Sequence, residues 1–174
     1  NAMRNDDVIG LDTGFGHLNR YTQGFQDGAL IILAARPAMG KSAMAMNLAV
    51  NVASKNKGGN ASVAIFSLEM SAEQLVERMV ACDSNIRLNN IKSGRIAKND
   101  WIRFNTSCAK LGHLNLYFDD SSDSTINSIR AKCRKLSAEQ GLDFVVIDYL
   151  QLIESDSASQ RASQQERISK ISRS

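Results

Sequence analysis

The sequence has few cysteines, and none of them lies near another. Cys82, Cys108 and Cys133 are the three cysteines among 174 residues. Their spacing offers no pair of metal ligands, and a sparse, odd number argues against a disulfide scaffold. We therefore expect three reduced, buried thiols in a cytoplasmic protein.

The chain also lacks a strong charge and a long apolar segment. The net charge is +3, which does not by itself indicate binding to nucleic acid. No segment approaches the roughly 20 apolar residues that a bilayer span needs. Hydrophobic residues make up 43% of the sequence and charged residues 22%, as is typical of a globular domain. The lack of a long apolar segment argues against a membrane-spanning protein, and the composition argues against a disordered one.

The two ends of the sequence set the expected domain limits. Residues 1–8 are interpreted as a tag remnant and lead-in. They do not have the pattern of a signal peptide, because no apolar stretch follows Met3. Residues 9–174 are expected to form one domain. Residues 168–174 have a helical pattern without a stop signal, which predicts a domain truncated at its C-terminus.

Apolar runs alternate with helical patterns along the chain. The predicted strands cover residues 29–34, 62–67, 114–118 and 144–147. Helices are predicted at 41–55, after the cap Ser71, at 97–111 and after the cap Ser124, and a short one near 15–21. This order predicts an α/β fold with a mostly parallel sheet flanked by helices, and ligands at the carboxyl ends of its strands.

The segment from Ala35 to Ser42 has the pattern of a phosphate-binding loop. Backbone N–H groups of such a loop and of the next helical turn surround phosphates, and the helix dipole favours the negative charge. Lys41 would contact the β- and γ-phosphates, and Ser42 would bind Mg²⁺. Ala35 replaces the usual first glycine, so the loop must bend there without a positive φ. The residues expected to bind nucleotide are Arg36, Pro37, Ala38, Met39, Gly40, Lys41, Ser42 and Ala43.

Two acids follow predicted strands. Asp148 ends an apolar strand, as does the Mg²⁺-binding Asp of phosphate-loop NTPases, although an ordinary capping Asp has the same pattern. Glu69 follows the strand at 62–67 and would face the same crevice. It is either the general base that orients the attacking water or a surface acid before the next helix. The residues alone leave both alternatives open.

These motifs together resemble the C-terminal ATPase domain of DnaB-type replicative DNA helicases. The resemblance is carried by the loop at 35–42, which has Ala at its first position in that family too, by Ser67-Leu68-Glu69-Met70 and by Asp148-Tyr149-Leu150-Gln151. It implies a RecA-like P-loop NTPase core. It also implies that Lys41 and Glu69 are catalytic, that Ser42 and Asp148 hold Mg²⁺, and that Gln151 lies near the γ-phosphate of ATP.

The same resemblance implies a function. The parent protein would be a ring-shaped homo-hexamer that hydrolyses ATP to translocate on single-stranded DNA, 5′ to 3′, and to unwind duplex during replication. Primase and a helicase loader would be its partners. The arginine finger, worth about 10³–10⁵ in rate, would lie outside this chain, so we expect the fragment itself to have little activity.

Alternatives remain at this point. A recombinase or circadian-clock-type ATPase of the same superfamily would assemble on DNA or protein without unwinding, and a non-catalytic module would only bind. The polar segment at 155–165, with Arg161, is a predicted mobile loop that could face DNA. Other basic residues are scattered on helices, as on any solvated surface.

Overall fold

The computed structural model describes residues 8–36, 38–121 and 125–148. The helices are α1 (Gly16–Thr22), α2 (Lys41–Lys55), α3 (Ala72–Ser84), α4 (Leu88–Lys92), α5 (Trp101–Gly112) and α6 (Ile126–Gln140). The strands are β1 (Val63–Ser67), β2 (Leu116–Asp119) and β3 (Phe144–Asp148). Short 3₁₀ turns occupy Lys57–Gly59 and Lys98–Asp100.

The described strands form one parallel sheet in the order β2-β1-β3. Val63 lies opposite both Leu116 and Phe144, and Ser67 lies opposite Asp148. Helices α3 to α5 connect β1 to β2, and α6 connects β2 to β3. The predicted α/β alternation and parallel pairing are confirmed. The carboxyl ends of all three strands therefore meet at one edge of the sheet.

Strand β1 is buried on both sides, because helices cover both faces of the sheet. Val63 and Ile65 pack in a cluster with residues of α2, α3 and α5. Ala64 and Phe66 pack with Ile129 of α6 in a second cluster. This alternation is the two-residue period of a strand, and the domain has three layers, helices on either side of the sheet.

The starts of two helices are fixed by hydroxyl side chains. Ser71 Oγ accepts a hydrogen bond of 3.3 Å from the N–H of Gln74, which confirms the cap predicted for α3. Helix α6 is capped by Thr125, whose Oγ1 accepts from the N–H of Ser128 at 3.1 Å. The expected cap of α6, Ser124, lies outside the described residues.

A polar network holds the segment before α1 against α2. Asn51 Nδ2 donates to the carbonyl of Thr13 at 3.0 Å, and Thr13 is fully buried. Asn56 and the backbone of Asp12 exchange two hydrogen bonds, of 2.8 and 3.1 Å. Gly14 has a φ of +76°, and a Cβ there would lie 2.4 Å from Asn51 Cγ. The N-terminal segment is thus fixed to the helix that follows the phosphate loop.

The prediction of a strand at 29–34 is wrong for this structure. These residues have no regular secondary structure, and Leu30 and Ile32 are 59% and 64% exposed. An apolar run forms a strand only where a neighbouring strand satisfies its backbone N–H and C=O groups. The sheet within the described residues contains β2, β1 and β3 alone, so this run pairs with none of them.

The cysteines differ from expectation in burial. Cys82 on α3 and Cys108 on α5 are exposed, so the expectation of three buried thiols is wrong for these two. Cys133 is half-buried, and burial raises the pKa of its thiol. In the described ranges, no helix is both long and apolar enough to cross a membrane.

Candidate functional site

Helix α2 begins at Gly40 in a way that leaves its N-terminus open to an anion. Gly40 is the N-cap residue and has a φ of +84°, which glycine adopts without strain. No side chain caps the helix, and its first turn contains no acidic residue. The first N–H groups of a helix lack intrahelical partners and carry the positive end of its dipole. This end of α2 is therefore suited to bind phosphate.

The loop that leads into α2 turns sharply at Ala38. The φ of Ala38 is +62°, a left-handed conformation that costs a non-glycine residue about 1–2 kcal/mol. The N–H of Met39 donates to the carbonyl of Arg36 at 3.2 Å and closes the turn. Ala35 has no positive φ, as expected, whereas nothing in the loop motif predicted the positive φ of Ala38. Pro37 lies outside the described residues.

Most of the predicted nucleotide-binding residues face solvent. Arg36, Ala38, Met39, Gly40 and Ala43 are exposed, and Lys41 and Ser42 are half-buried. Exposure of a loop that must receive a charged ligand is expected, because its backbone groups have to be reachable.

The structure brings Lys41 and Asp148 together. Lys41 Nζ lies 2.9 Å from Asp148 Oδ1, and the two side chains are 29% and 7% exposed. Lys41 opens α2 and Asp148 ends β3, so this contact joins the phosphate loop to the carboxyl edge of the sheet. A buried carboxylate is stable as an anion when a cation of this kind lies beside it.

The donors at this point fit a magnesium ion. Ser42 offers a hydroxyl beside Lys41, and Asp148 offers a carboxylate. Mg²⁺ commonly takes one or two protein carboxylates together with substrate phosphates and water, so a larger protein cage is not required. The described part of the chain contains no group of three or more His, Cys, Asp or Glu side chains that could hold a metal. The oxygen donors therefore suit a metal that arrives with a phosphate ligand.

Glu69 lies at the same edge of the sheet. It is exposed, in the turn between β1 and α3. The N–H of Leu68, the residue before it, donates to the carbonyl of Asp148 at 2.9 Å. The turn that carries Glu69 is therefore attached by its backbone to the end of β3. The two acids predicted from the sequence thus lie at the carboxyl ends of neighbouring strands. Asp148 is the last residue of β3, and Glu69 lies in the turn after β1.

Two further acids at the end of β2 were not identified from the sequence. Burial disfavours the charged form of Asp119, but hydrogen bonds from Lys132 and Ser121 outweigh it, so the pKa of Asp119 lies below its usual value. Asp120 Oδ2 accepts from the N–H of Ala72 at 2.9 Å, at the start of α3. Both acids directly follow the strand predicted at 114–118, and this position could have identified them as site candidates.

Together these features define a class of protein. Three features characterise a phosphate-loop NTPase of α/β fold: an open helix N-terminus after a phosphate-loop sequence, a lysine paired with a strand-end aspartate, and a second acid in the turn after the adjacent strand. Gln151, Arg161 and the predicted loop at 155–165 lie outside the described residues.

Comparison with known proteins gives the family. A family model described as DnaB-like helicase C terminal domain matches residues 10–174. The chain belongs to this family. Among its relatives, the replicative DNA helicase DnaB of Geobacillus stearothermophilus is 47% identical over 171 residues, 98% of this chain and 37% of that protein. The replicative DNA helicase DnaC of Bacillus subtilis (strain 168) is also 47% identical, over 170 residues.

A solved structure agrees with this assignment. The structure of a DnaB-like replicative helicase, studied for its interactions with primase, superposes with a TM-score of 0.85 at 31% identity. It is matched over 96% of this chain and 39% of its own. The chain thus spans between a third and two fifths of the length of these relatives, and the resemblance seen in the sequence is confirmed for this part.

Proposed function

We propose that this domain is the ATP-hydrolysing motor of a replicative DNA helicase, an ATP-dependent enzyme that translocates on single-stranded DNA and unwinds duplex. The observation that carries the proposal is the 2.9 Å contact between Lys41 Nζ and Asp148 Oδ1 at the N-terminus of α2. It joins the two halves of a nucleotide site that lie far apart in the sequence. The family of the chain supports the same function.

The phosphates of ATP would bind at the start of α2. The backbone N–H groups of Gly40 to Ala43 supply donors there, and Lys41 supplies a positive charge for the β- and γ-phosphates. Arg36, Pro37, Ala38 and Met39 would form the wall of the loop. The left-handed conformation of Ala38 and the bond from the Met39 N–H to the Arg36 carbonyl set the turn of this loop.

Ser42 and Asp148 would hold Mg²⁺. When bound, the ion would neutralise part of the negative charge on the phosphates. Asp148 is 5% exposed, and Lys41 lies beside its carboxylate as a charge partner.

Glu69 is proposed as the general base. Its carboxylate lies in the turn after β1, the strand next to β3, at the same edge as the phosphate site, and its exposure leaves room for a water molecule. General-base catalysis by a positioned carboxylate typically contributes about 10²–10⁴-fold to the rate. Gln151, outside the described residues, is proposed to lie near the γ-phosphate.

The assembly and the partners are also proposals. The relatives are named replicative DNA helicases, and one solved structure concerns interactions with primase. We propose that the full-length protein forms a homo-hexamer around single-stranded DNA in the cytoplasm and works with primase and a helicase loader.

Strand displacement tests this function. The full-length protein that contains this domain, supplied with Mg²⁺ and ATP, should separate a forked DNA duplex. Lys41→Ala should abolish displacement, because it removes the cation at the phosphate site. Lys135→Ala is the matched control, since Lys135 is an exposed lysine on α6, away from α2.

Two outcomes would refute parts of the proposal. Unwinding that survives Lys41→Ala contradicts the role of the loop. ATP hydrolysis without unwinding by the unmodified protein favours an ATPase of the RecA or circadian-clock type, which assembles without separating strands.

A further inference from the structure

Ser67 is buried at the end of β1 and is 3% exposed. Its hydroxyl donates to the carbonyl of Met70 at 2.7 Å and accepts from the N–H of Met70 at 3.1 Å. One hydroxyl thus satisfies both backbone groups of Met70, the residue directly after Glu69. This closes a turn whose only exposed member is Glu69, because Leu68 and Met70 are half-buried.

The residues on either side of Glu69 are anchored to opposite layers of the domain. Leu68 packs against the cluster of Phe66 and Ile129 on the α6 side of the sheet. Met70 packs against the cluster on the side of α2, α3 and α5. With its neighbours fixed in this way, the backbone of Glu69 has little freedom to shift.

Backbone contacts tie the same turn to both adjacent strands. The N–H of Leu68 donates to the carbonyl of Asp148 at the end of β3, and Asp120 after β2 accepts from the N–H of Ala72. Each of these contacts lies one or three residues from Glu69. The buried Ser67 hydroxyl joins the end of β1 to Met70, the residue directly after Glu69.

We propose that Ser67 is a positioning residue for ATP hydrolysis: its hydroxyl closes the turn on Met70 and so fixes where the Glu69 carboxylate lies over the sheet edge. This inference rests on the proposed function of Glu69 as general base. A general base has to lie within about 2.6–3.2 Å of the group it deprotonates. A shift of about 1 Å in such a group lowers the rate by up to about 100-fold.

Ser67→Ala in the full-length protein tests the proposal. It removes both bonds to Met70 and keeps Lys41, Ser42 and Asp148. We expect kcat for ATP hydrolysis to fall about 10- to 100-fold, with the KM and the Kd for ATP unchanged. Ser67→Thr, which retains the hydroxyl, should recover most of the lost kcat.

The matched control is Ser84→Ala. Ser84 is 4% exposed on α3, and its hydroxyl donates to the carbonyl of Val80 at 2.6 Å. The Ser84→Ala variant therefore also loses a buried serine hydroxyl that is bonded to the backbone, but at the far end of the helix that follows the Glu69 turn. Its kcat should equal that of the unmodified protein, and thermal unfolding of each variant reports whether it is folded.

A double-variant cycle separates positioning from a general loss of structure. In a Glu69→Gln background, Ser67→Ala should cause no further fall in the residual kcat, because the group that it positions is already disabled. The proposal is overturned if Ser67→Ala leaves kcat unchanged, if kcat and nucleotide affinity fall together, or if the two losses multiply. Wild-type kcat in Glu69→Gln alone would instead refute the assignment of the general base.

Discussion

Replacing Lys41 by Met isolates the charge of the Lys41–Asp148 pair, because Met keeps most of the aliphatic stem. The Asp148 side chain is 7% exposed and would lose the cation 2.9 Å away. Breaking a fully buried pair costs about 3–5 kcal/mol. Because the Lys41 side chain is 29% exposed and water screens the pair, we expect the free energy of unfolding to fall by about 2 kcal/mol.

The partner variant defines the coupling between the two charges. Asp148→Asn leaves a lysine that reaches solvent, so its own cost should be about 1 kcal/mol. The double variant contains neither charge and should be about as stable as Asp148→Asn alone. Urea unfolding of the four proteins should then give a coupling energy of about 2 kcal/mol. Losses that add to within about 0.5 kcal/mol would show that the pair is not energetically coupled.

Nucleotide binding should respond differently to the same variants. Hydrogen bonds to charged groups contribute about 1.5–3 kcal/mol, so Lys41→Met should weaken binding of Mg·ATP by about 10- to 100-fold. Adding Asp148→Asn should restore about half of the stability lost in Lys41→Met, but none of the affinity. Titration with a fluorescent ATP analogue measures this. Recovery of affinity in the double variant would contradict a direct role of Lys41 at the phosphates.

Two further predictions concern the frame around the site. Gly14→Ala should lower the free energy of unfolding in urea by more than Gly28→Ala. Both glycines have a positive φ, but of the two only Gly14 would place a Cβ against Asn51. Equal losses in the two variants would refute this steric reason. Burial disfavours the charged form of Asp143, but hydrogen bonds from Lys57 and from the Ser62 N–H outweigh it, so the pKa of Asp143 lies below its usual value. The stabilisation is present above the usual pKa and is lost as the pH falls through the lowered one. Thermal unfolding of Asp143→Asn should vary less between about pH 5 and 2; curves parallel to wild type would contradict this.

The elements predicted best from the sequence are those with a local signal. The strand at 62–67 and the helix at 41–55 follow from apolar runs and small residues. The helix is confirmed with the predicted bounds, and the strand begins one residue later than predicted. The cap at Ser71 follows from the serine and the glutamine three residues later. Each signal is contained within a few residues, so tertiary contacts were not needed to find it.

The features that were missed depend on contacts between distant residues. The run at 29–34 is apolar enough for a strand, but strand formation depends on a pairing partner that the pattern does not contain. The network of Asp12, Asn51 and Asn56 joins polar residues with no periodic spacing. Likewise, the bonds from Ser67 to Met70 depend on how the chain turns after β1.

The candidate site could be anticipated in part. Residue types predicted Lys41 and Asp148, and parallel topology predicted that strand ends meet, but the 2.9 Å contact between their side chains required the structure. Glu69 was left between two alternatives by its sequence, and its catalytic role stays a prediction, because an exposed position in the turn after β1 fits both. Strain at Ala38 had no signal, because alanine is ordinarily found at negative φ.

The most direct test of the central claim is ATP turnover by Glu69→Gln in the full-length protein, measured as phosphate release beside the Kd for Mg·ATP. The change removes a carboxylate and leaves Lys41, Ser42 and Asp148 intact. Our account predicts unchanged affinity and a kcat about 10²–10⁴-fold lower. Turnover at the wild-type rate would contradict the assignment of Glu69 as the general base at this sheet edge.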